Sequence, residues 1–328
     1  MNGNSQASLP RRLIIALGGN AIHPAGIKGT GKEQFQIAAE ASNGLLPILR
    51  DIPQLIITHG NGPGVGKVLM RQAIASKRVA SMPLDICVAN SQGGISYVIM
   101  QTMQNSLHAA RVDRGVTSII CEVEVDPDDP AFDNPDKPLG YFFTEAEAQE
   151  LREEFNWNMK EDANRGWRMV VPSPRPRKIL NSSVIRELAE SGNIVITGGG
   201  GGIPVVTDND GNISGVEAVI DKDMTAVLLA RELGVDHLLI LTSVDHVAIH
   251  FGTDRQQDLR SVSLDELRTY LNQGHFSAGS MGPKVEAVIQ FLEGGGKRAI
   301  IAHLDKAYQA LLGQTGTHVV RRGDEVST

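Results

Sequence analysis

Short runs of branched apolar residues recur along the chain, at Leu13–Leu17, Leu55–Thr58, Val116–Ile120, Asn193–Thr197, His237–Thr242 and Arg298–Ala302. Runs of this length without polar alternation predict strands covered on both faces, as in a parallel sheet. Helical stretches lie between most of them. Glu33–Arg50 is long and Ala-rich, Met224–Leu233 stops at Gly234, and Leu264–Asn272 follows Ser263 with Glu266 three residues on, the pattern of a capping box. Strands alternating with helices of about 10–18 residues make βαβ units, so the expected fold is α/β, a mainly parallel central sheet with helices on both faces.

One region breaks this rhythm. From Val125 to Arg177 the chain turns Pro- and Asp-rich, passes a helix expected to start at Thr144 with Glu147 completing its cap, and ends in Val171-Pro-Ser-Pro-Arg-Pro. It reads as an excursion from the sheet, a small subdomain or lid held by few contacts. No internal repeat is visible, and the first eleven and last six residues have the composition of loose ends.

Composition narrows the function. Hydrophobic residues make up 41% and charged residues 21% of 328, which fits a globular chain with ample core. Thirty-one Lys+Arg against 38 Asp+Glu, with no dense basic run, disfavour a sequence-independent hold on nucleic acid. Cys87 and Cys121 stand alone in apolar context and lack zinc or redox spacing, so they read as buried thiols. The five-residue apolar run after the polar start is too short for a signal or a membrane span. The expected location is the cytoplasm. Glycine is in excess, at 35 residues, and that excess is where chemistry should be sought.

Two glycine patterns lead nowhere. Gly26-Ile-Lys-Gly-Thr-Gly31-Lys32 resembles a P-loop until Glu33, where the Mg²⁺-binding hydroxyl belongs, and no strand feeds it. Gly60-Asn-Gly62 follows a strand, but a dinucleotide fingerprint needs glycine where Val65 stands. Three other turns remain, each placed where a strand should end: Gly18-Gly19-Asn20, His59-Gly60-Asn61-Gly62, and the run Gly198–Gly202. Ligands of open α/β sheets bind at the carboxyl ends of strands, and glycine lets backbone N–H groups approach phosphate oxygens. One such turn alone serves equally as a tight connection. Three together point to a phosphorylated ligand.

Lysines in rigid or apolar settings supply the charge. Lys222 precedes a helix in Val219-Ile-Asp-Lys222-Asp223, Lys284 sits at a glycine-rich helix start in Gly279-Ser-Met-Gly-Pro-Lys284, and Lys137 lies in the excursion. A cation at a helix N-terminus opposes the macrodipole and is tolerable chiefly when an anion binds there. His59 at a strand end reads as structural, because phosphoryl transfer to an existing anion needs no base. Asp85 is assigned no chemistry.

In this order the motifs resemble the carbamate kinases of the amino-acid-kinase superfamily, from about Leu13 to Thr317. They are Ala-Leu-Gly-Gly-Asn20-Ala, His59-Gly-Asn-Gly-Pro, Met82-Pro-Leu-Asp-Ile-Cys with Ser91-Gln-Gly, Lys137-Pro-Leu-Gly, Val170-Val-Pro-Ser-Pro, Gly199-Gly-Gly-Gly-Ile-Pro-Val, Ala218-Val-Ile-Asp-Lys-Asp223 and Gly279-Ser-Met-Gly-Pro-Lys-Val-Glu-Ala287. Other members of the superfamily commonly carry Lys where Asn20 stands, and Lys137 is the lysine that sets carbamate kinases apart.

The resemblance implies a three-layer αβα sandwich with an N-terminal lobe (12–197) for carbamate, including a protruding subdomain (about 125–177), and a C-terminal lobe (198–322) for the nucleotide. It implies a homodimer and the reaction ATP + carbamate ⇌ ADP + carbamoyl phosphate, with Mg²⁺ bound mainly through the nucleotide phosphates. Lys137, Lys222, Asp223 and Lys284 would be catalytic, with Lys137 swinging in from the lid. Gly18, Gly19, Asn20, Gly60, Asn61 and Gly62 would bind the acceptor. Gly199, Gly200, Gly201, Thr242, Val244, Met281 and Gly282, with Lys284, would bind the nucleotide.

The chain departs from the family at Gly64, where Gln is usual, at Gly94-Ile-Ser96, where a large residue and then Gly are usual, and at Ala248, where Tyr is common. The alternatives are a non-catalytic nucleotide- or acyl-phosphate-binding member of the fold and a kinase for another small carboxylate or phosphonate. Retention of all four charged residues favours the enzyme.

Overall fold

In the computed structural model, which describes residues 9–19, 27–162, 165–277 and 279–321, all six predicted runs lie in one sheet. The first part of the chain forms β1 (Arg12–Leu17), α1 (Gly31–Asp51), β2 (Gln54–His59), α2 (Gly62–Ala75), α3 (Leu84–Ala109), β3 (Val116–Ser118) and β4 (Glu122–Val125). The excursion holds β5 (Lys137–Phe143), α4 (Glu145–Phe155), β6 (Met159–Glu161) and β7 (Trp167–Val171). Then come β8 (Pro176–Ile179), α5 (Ser182–Glu190), β9 (Ile194–Ile196), β10 (Ile203–Thr207), β11 (Ile213–Gly215), α6 (Lys222–Leu233) and β12 (His237–Thr242). The last part gives β13 (Val247–Ile249), β14 (Gln257–Leu259), β15 (Ser261–Ser263), α7 (Leu264–Asn272), α8 (Met281–Glu293), β16 (Arg298–His303), α9 (Ala307–Leu311) and β17 (Thr317–Val320).

The central sheet runs β15-β17-β16-β12-β1-β2-β9-β3. Every neighbouring pair is parallel except β16 and β17. Side chains alternate across a strand, so Ile14 and Ala16 enter one core with Ile56, Leu238 and the inner faces of α6 and α8, while Leu13, Ile15 and Leu17 enter another with α1 and α3. Each face is covered, which is why these strands read as unbroken apolar runs. Each such side chain taken from water contributes about 1.5–3 kcal/mol before entropy is counted.

Register positions the site. Leu17 pairs with His59 on one side and Leu241 on the other, and Ile57 pairs with Ile196. The glycine turns after β1, β2 and β9 therefore leave the sheet side by side at its carboxyl edge.

The capping boxes at Ser263–Glu266 and Thr144–Glu147 form as the sequence predicts. The 26-residue α3 was not foreseen. Its buried positions mix Ser91, Gln92, Ser96, Thr102 and Ser106 with Leu84, Val88, Ile99, Met103 and Leu107, so polar residues interrupt its apolar face.

The excursion is bracketed by β4 and β8, which pair antiparallel in a small sheet ordered β11-β10-β4-β8, and its own strands form β5-β7-β6. It is seated more firmly than its composition suggests. α2 meets β5 backbone to backbone, since a Cβ on Gly66 would overlap the Cα of Gly140, whose φ of +70° favours glycine. Lys137, on the first position of β5, already stands at the site.

Candidate active site

Two helices begin at the carboxyl edge of the sheet and carry the charge. Asp221 caps α6, accepting from the N–H groups of Asp223 (2.9 Å) and Met224 (3.3 Å). Lys222 is the first residue of that helix. Its ammonium bonds Asp223 Oδ1, and Lys284, in the first turn of α8, brings Nζ to 3.5 Å from Asp223 Oδ2. One carboxylate, only 3% exposed, thus lies between two ammonium groups that are 11% and 16% exposed. Lys137 reaches across from β5 to Asp221 Oδ2 at 2.9 Å. Three lysines face two aspartates, which leaves the cluster net positive at the N-termini of two helices.

Burial lowers the pKa of Lys222, Asp223 and Asp221 pull it back up, and Lys284 pushes it further down. Burial alone would raise Asp221, but Lys137 and Lys222 outweigh it and hold the carboxyl well below its ordinary range. The helix-start cations are thus partly balanced by Asp223 in advance of any ligand.

The glycine turns after β1 and β2 touch. Gly18 donates to Leu241 O at 2.9 Å and Gly60 to Leu17 O at 3.0 Å. A Cβ on Gly60 would lie 2.9 Å from Gly19 N, so glycine lets the two turns approach this closely, and it would meet Lys222 Cδ at an ordinary contact distance of 3.5 Å. Asn61 Nδ2 donates to Ser91 Oγ at 2.9 Å, and Gly62 opens α2. Asn20 lies outside the described residues.

Gly199, Gly200 and Gly201 are buried behind these turns. A Cβ on Gly199 would overlap the His59 ring, one on Gly200 the Asn61 amide, and one on Gly201 the Ile220 carbonyl. The carbonyls of Gly198, Gly199 and Gly201 accept from Thr58, Gln92 and Thr225. The run presses the second turn and the start of α6 together. Gly199→Ala should therefore cost about 1–3 kcal/mol through overpacking, read as a lower urea midpoint; an unchanged midpoint would show that the ring has room to move.

Two clefts open at this edge. One of about 400 Å³ is lined by Gly18, Gly19, Thr242, Gly279, Lys284 and Asp305 among others. A second of about 780 Å³, between the excursion and helices α6 and α8, includes Lys137, Arg168, Asp221, Gly279 and Glu286. Both have the size of ligand pockets, and Gly279 borders each. Val244, Met281 and Gly282 do not line the first cleft; Met281 packs on the core, and the Gly282 N–H is taken by Ser277 O at 2.8 Å.

His59 is fully buried, and burial lowers its pKa to about 4, so the ring is neutral and only weakly basic. Cys87 and Cys121 are buried free thiols, Cys121 pushed up to about 12 by burial. Asp85 lies in the first turn of α3 against Gly215. Gly64, where the family has Gln, leaves room for Ile95, and Ala248 is buried in β13. Asp221, directly before a helix, is a legible cap in the sequence but not a legible site residue, and Ser91, thirty positions from its partner Asn61, joins the site only because α3 runs behind the turn.

The amino acid kinase family model matches residues 11–303. The chain is 48% identical over 313 residues to the carbamate kinase of Pyrococcus horikoshii, covering 95% of this chain and 99% of that one. It is 44% identical to carbamate kinase 2 of Staphylococcus aureus, covering 95% and 99%. Its fold matches the carbamate kinase of Giardia lamblia bound to citric acid with a TM-score of 0.90 at 40% identity, over 96% of this chain and 99% of that one, and the same enzyme bound to AMP-PNP with a TM-score of 0.87. Similarity of this extent, over a fold whose charged residues meet at one edge of the sheet, places the chain in the amino acid kinase family, among its carbamate kinases.

Proposed function

We propose that the chain catalyses reversible phosphoryl transfer between ATP and carbamate, and in catabolism converts ADP and carbamoyl phosphate to ATP and carbamate. The observation that carries this is the Lys222–Asp223–Lys284 arrangement at the starts of two helices, beside the turn formed by Gly18, Gly19 and Gly60. A phosphoryl group passing between two anions spreads charge over its equatorial oxygens, so catalysis consists mostly of alignment and fixed positive charge. Lys222 and Lys284 clamp the transferring group, and Asp223 holds their ammonium groups apart at a set spacing. Lys137, fixed by Asp221, neutralises the acceptor end.

The acceptor lies against Gly18, Gly19, Gly60, Asn61 and Gly62, with Asn20 beside them in sequence. The nucleotide lies along Thr242 in the smaller cleft with its terminal phosphate at Lys284. Gly199, Gly200 and Gly201 serve the site by shaping the turn, and Met281 and Gly282 by fixing the start of α8. In this reading the division into a lobe of residues 12–197 for the acceptor and one of 198–322 for the nucleotide follows the two halves of the sheet.

No group of three His, Cys, Asp or Glu among the described residues could hold a metal ion. Asp221 and Asp223 are both engaged by lysines, so the donor set fits a Mg²⁺ ion that is carried by the nucleotide phosphates, where it would neutralise charge during transfer. No helix among the described residues is long and apolar enough to cross a membrane. The resemblance to carbamate kinases carries with it a cytoplasmic homodimer.

The test is ATP formation from ADP and carbamoyl phosphate, with acetyl phosphate in a parallel reaction. The expected result is Mg²⁺-dependent turnover that strongly prefers carbamoyl phosphate and ends on chelation. Turnover at the enzyme-free rate would leave a binding protein, and a preference for acetyl phosphate would mean another carboxylate acceptor.

A further inference from the structure

His59 and Ser96 are used by nothing described so far, yet they meet directly behind the acceptor turn. His59 Nδ1 lies 3.1 Å from Gly60 O, and Nε2 lies 3.0 Å from Ser96 Oγ. Both side chains are at least 99% buried, and the ring is wedged beneath Gly199, where any Cβ would collide with it. A carbonyl oxygen can only accept, so Nδ1 carries the proton. The neutral ring then has a bare Nε2, and the Ser96 hydroxyl donates to it.

The consequence falls on one peptide. C=O and N–H of a trans peptide point in opposite directions. With the Gly60 carbonyl turned back toward the ring, the N–H of Asn61 is turned the other way, and no acceptor among the described residues takes it. That N–H belongs to the turn that touches Gly19 and the stem of Lys222.

We propose that Ser96 and His59 are positioning residues that hold the Gly60–Asn61 peptide with its N–H directed at an anionic oxygen of the acceptor. The Ser96 hydroxyl donates to Nε2 and supports the Nδ1–H tautomer, that N–H holds the Gly60 carbonyl, and the carbonyl fixes the donor. The inference rests on the reading that this turn binds the acceptor. It gives the departure at Ser96, where glycine is usual, a role in this chain: with glycine there, Nε2 would lose its hydroxyl partner and the Nδ1–H tautomer its support. A preorganised donor of this kind acts most where charge is redistributed during transfer.

The test joins a spectroscopic and a kinetic readout on the intact protein. Long-range ¹H–¹⁵N spectra of ¹⁵N-histidine protein resolve the nine rings, with His59 assigned by its loss in His59→Asn. Wild type should show His59 protonated at Nδ1 alone with Nε2 as a hydrogen-bonded acceptor, and Ser96→Ala should move the Nε2 nitrogen shift to that of an unbonded ring nitrogen. The same variant should lower kcat/KM for carbamoyl phosphate by roughly 10- to 100-fold, with KM for ADP unchanged. His59→Asn, which keeps a donor near the Nδ1 position, should retain more activity than the similarly sized His59→Leu. An Nε2–H ring in wild type, or Ser96→Ala with an unaltered kcat/KM, would overturn the proposal. Should wild type lack turnover with carbamoyl phosphate, the functional reading fails, and an Nε2 nitrogen shift unchanged in Ser96→Ala then independently rejects the coupling between Ser96 and the ring.

Discussion

Lys222→Ala and Lys284→Ala should each lower kcat by about 10²–10³, the loss expected when one preorganised donor to a transition state is removed, with a much smaller change in KM for ADP. Both ammonium groups are nearly buried and are held by the same carboxylate, so neither needs to reorganise when charge moves onto the transferring oxygens. Interactions made only in the transition state appear in kcat, whereas uniform binding appears in KM. The two effects should also fall short of additive in the double variant, because Asp223 is shared. Steady-state kinetics of the three proteins decide this. Either single variant with wild-type kcat would reduce its lysine to a surface charge.

Asp223→Ala should cost about 3–5 kcal/mol of stability, the penalty for removing one partner of a buried ion pair. The carboxylate is 3% exposed and separates Lys222 from Lys284; without it two cations face each other at helix N-termini with little water to screen them. An anion in the site would take over part of that role. ADP with carbamoyl phosphate should therefore raise the urea midpoint of the variant more than that of wild type. If the variant unfolds at the wild-type midpoint, the lysines are solvated well enough to do without Asp223, and the rigid-clamp description fails.

The sequence reveals most where packing is symmetrical. β1, β2, β9, β12 and β16 are covered on both faces, and a strand so covered has to be continuously apolar. α3 escaped notice because hydroxyls and an amide interrupt its buried apolar face, Ser91 and Gln92 among them, and Gln92 bonds Gly199 O and the Cys121 N–H. β15 and β17 escaped because they are short, three and four residues, with β15 at the edge of the sheet. The lysines at helix starts could be found since their position conflicts with the helix dipole. What balances them, Asp223 for one pair and Asp221 for Lys137, depends on how three elements distant in sequence converge.

Lys137 is the instructive case. The Pro- and Asp-rich composition around it suggests a loosely held lid, yet Gly66 against Gly140 and the ion pair to Asp221 seat β5 on the body of the protein. A close backbone contact between two glycines is invisible in composition, because it is made by the absence of side chains.

In this geometry the phosphoryl group travels between Lys222 and Lys284, in front of the Gly19–Gly60 turn. A crystal structure with ADP, Mg²⁺ and aluminium fluoride tests it most directly, since the planar fluoride mimics the group in flight. The account places fluorine atoms within hydrogen-bond distance of Lys222 Nζ and Lys284 Nζ, with Lys137 on the acceptor side. Fluoride held instead in the larger cleft by Arg168 and Lys160, which both line it, away from both clamp lysines, would contradict it.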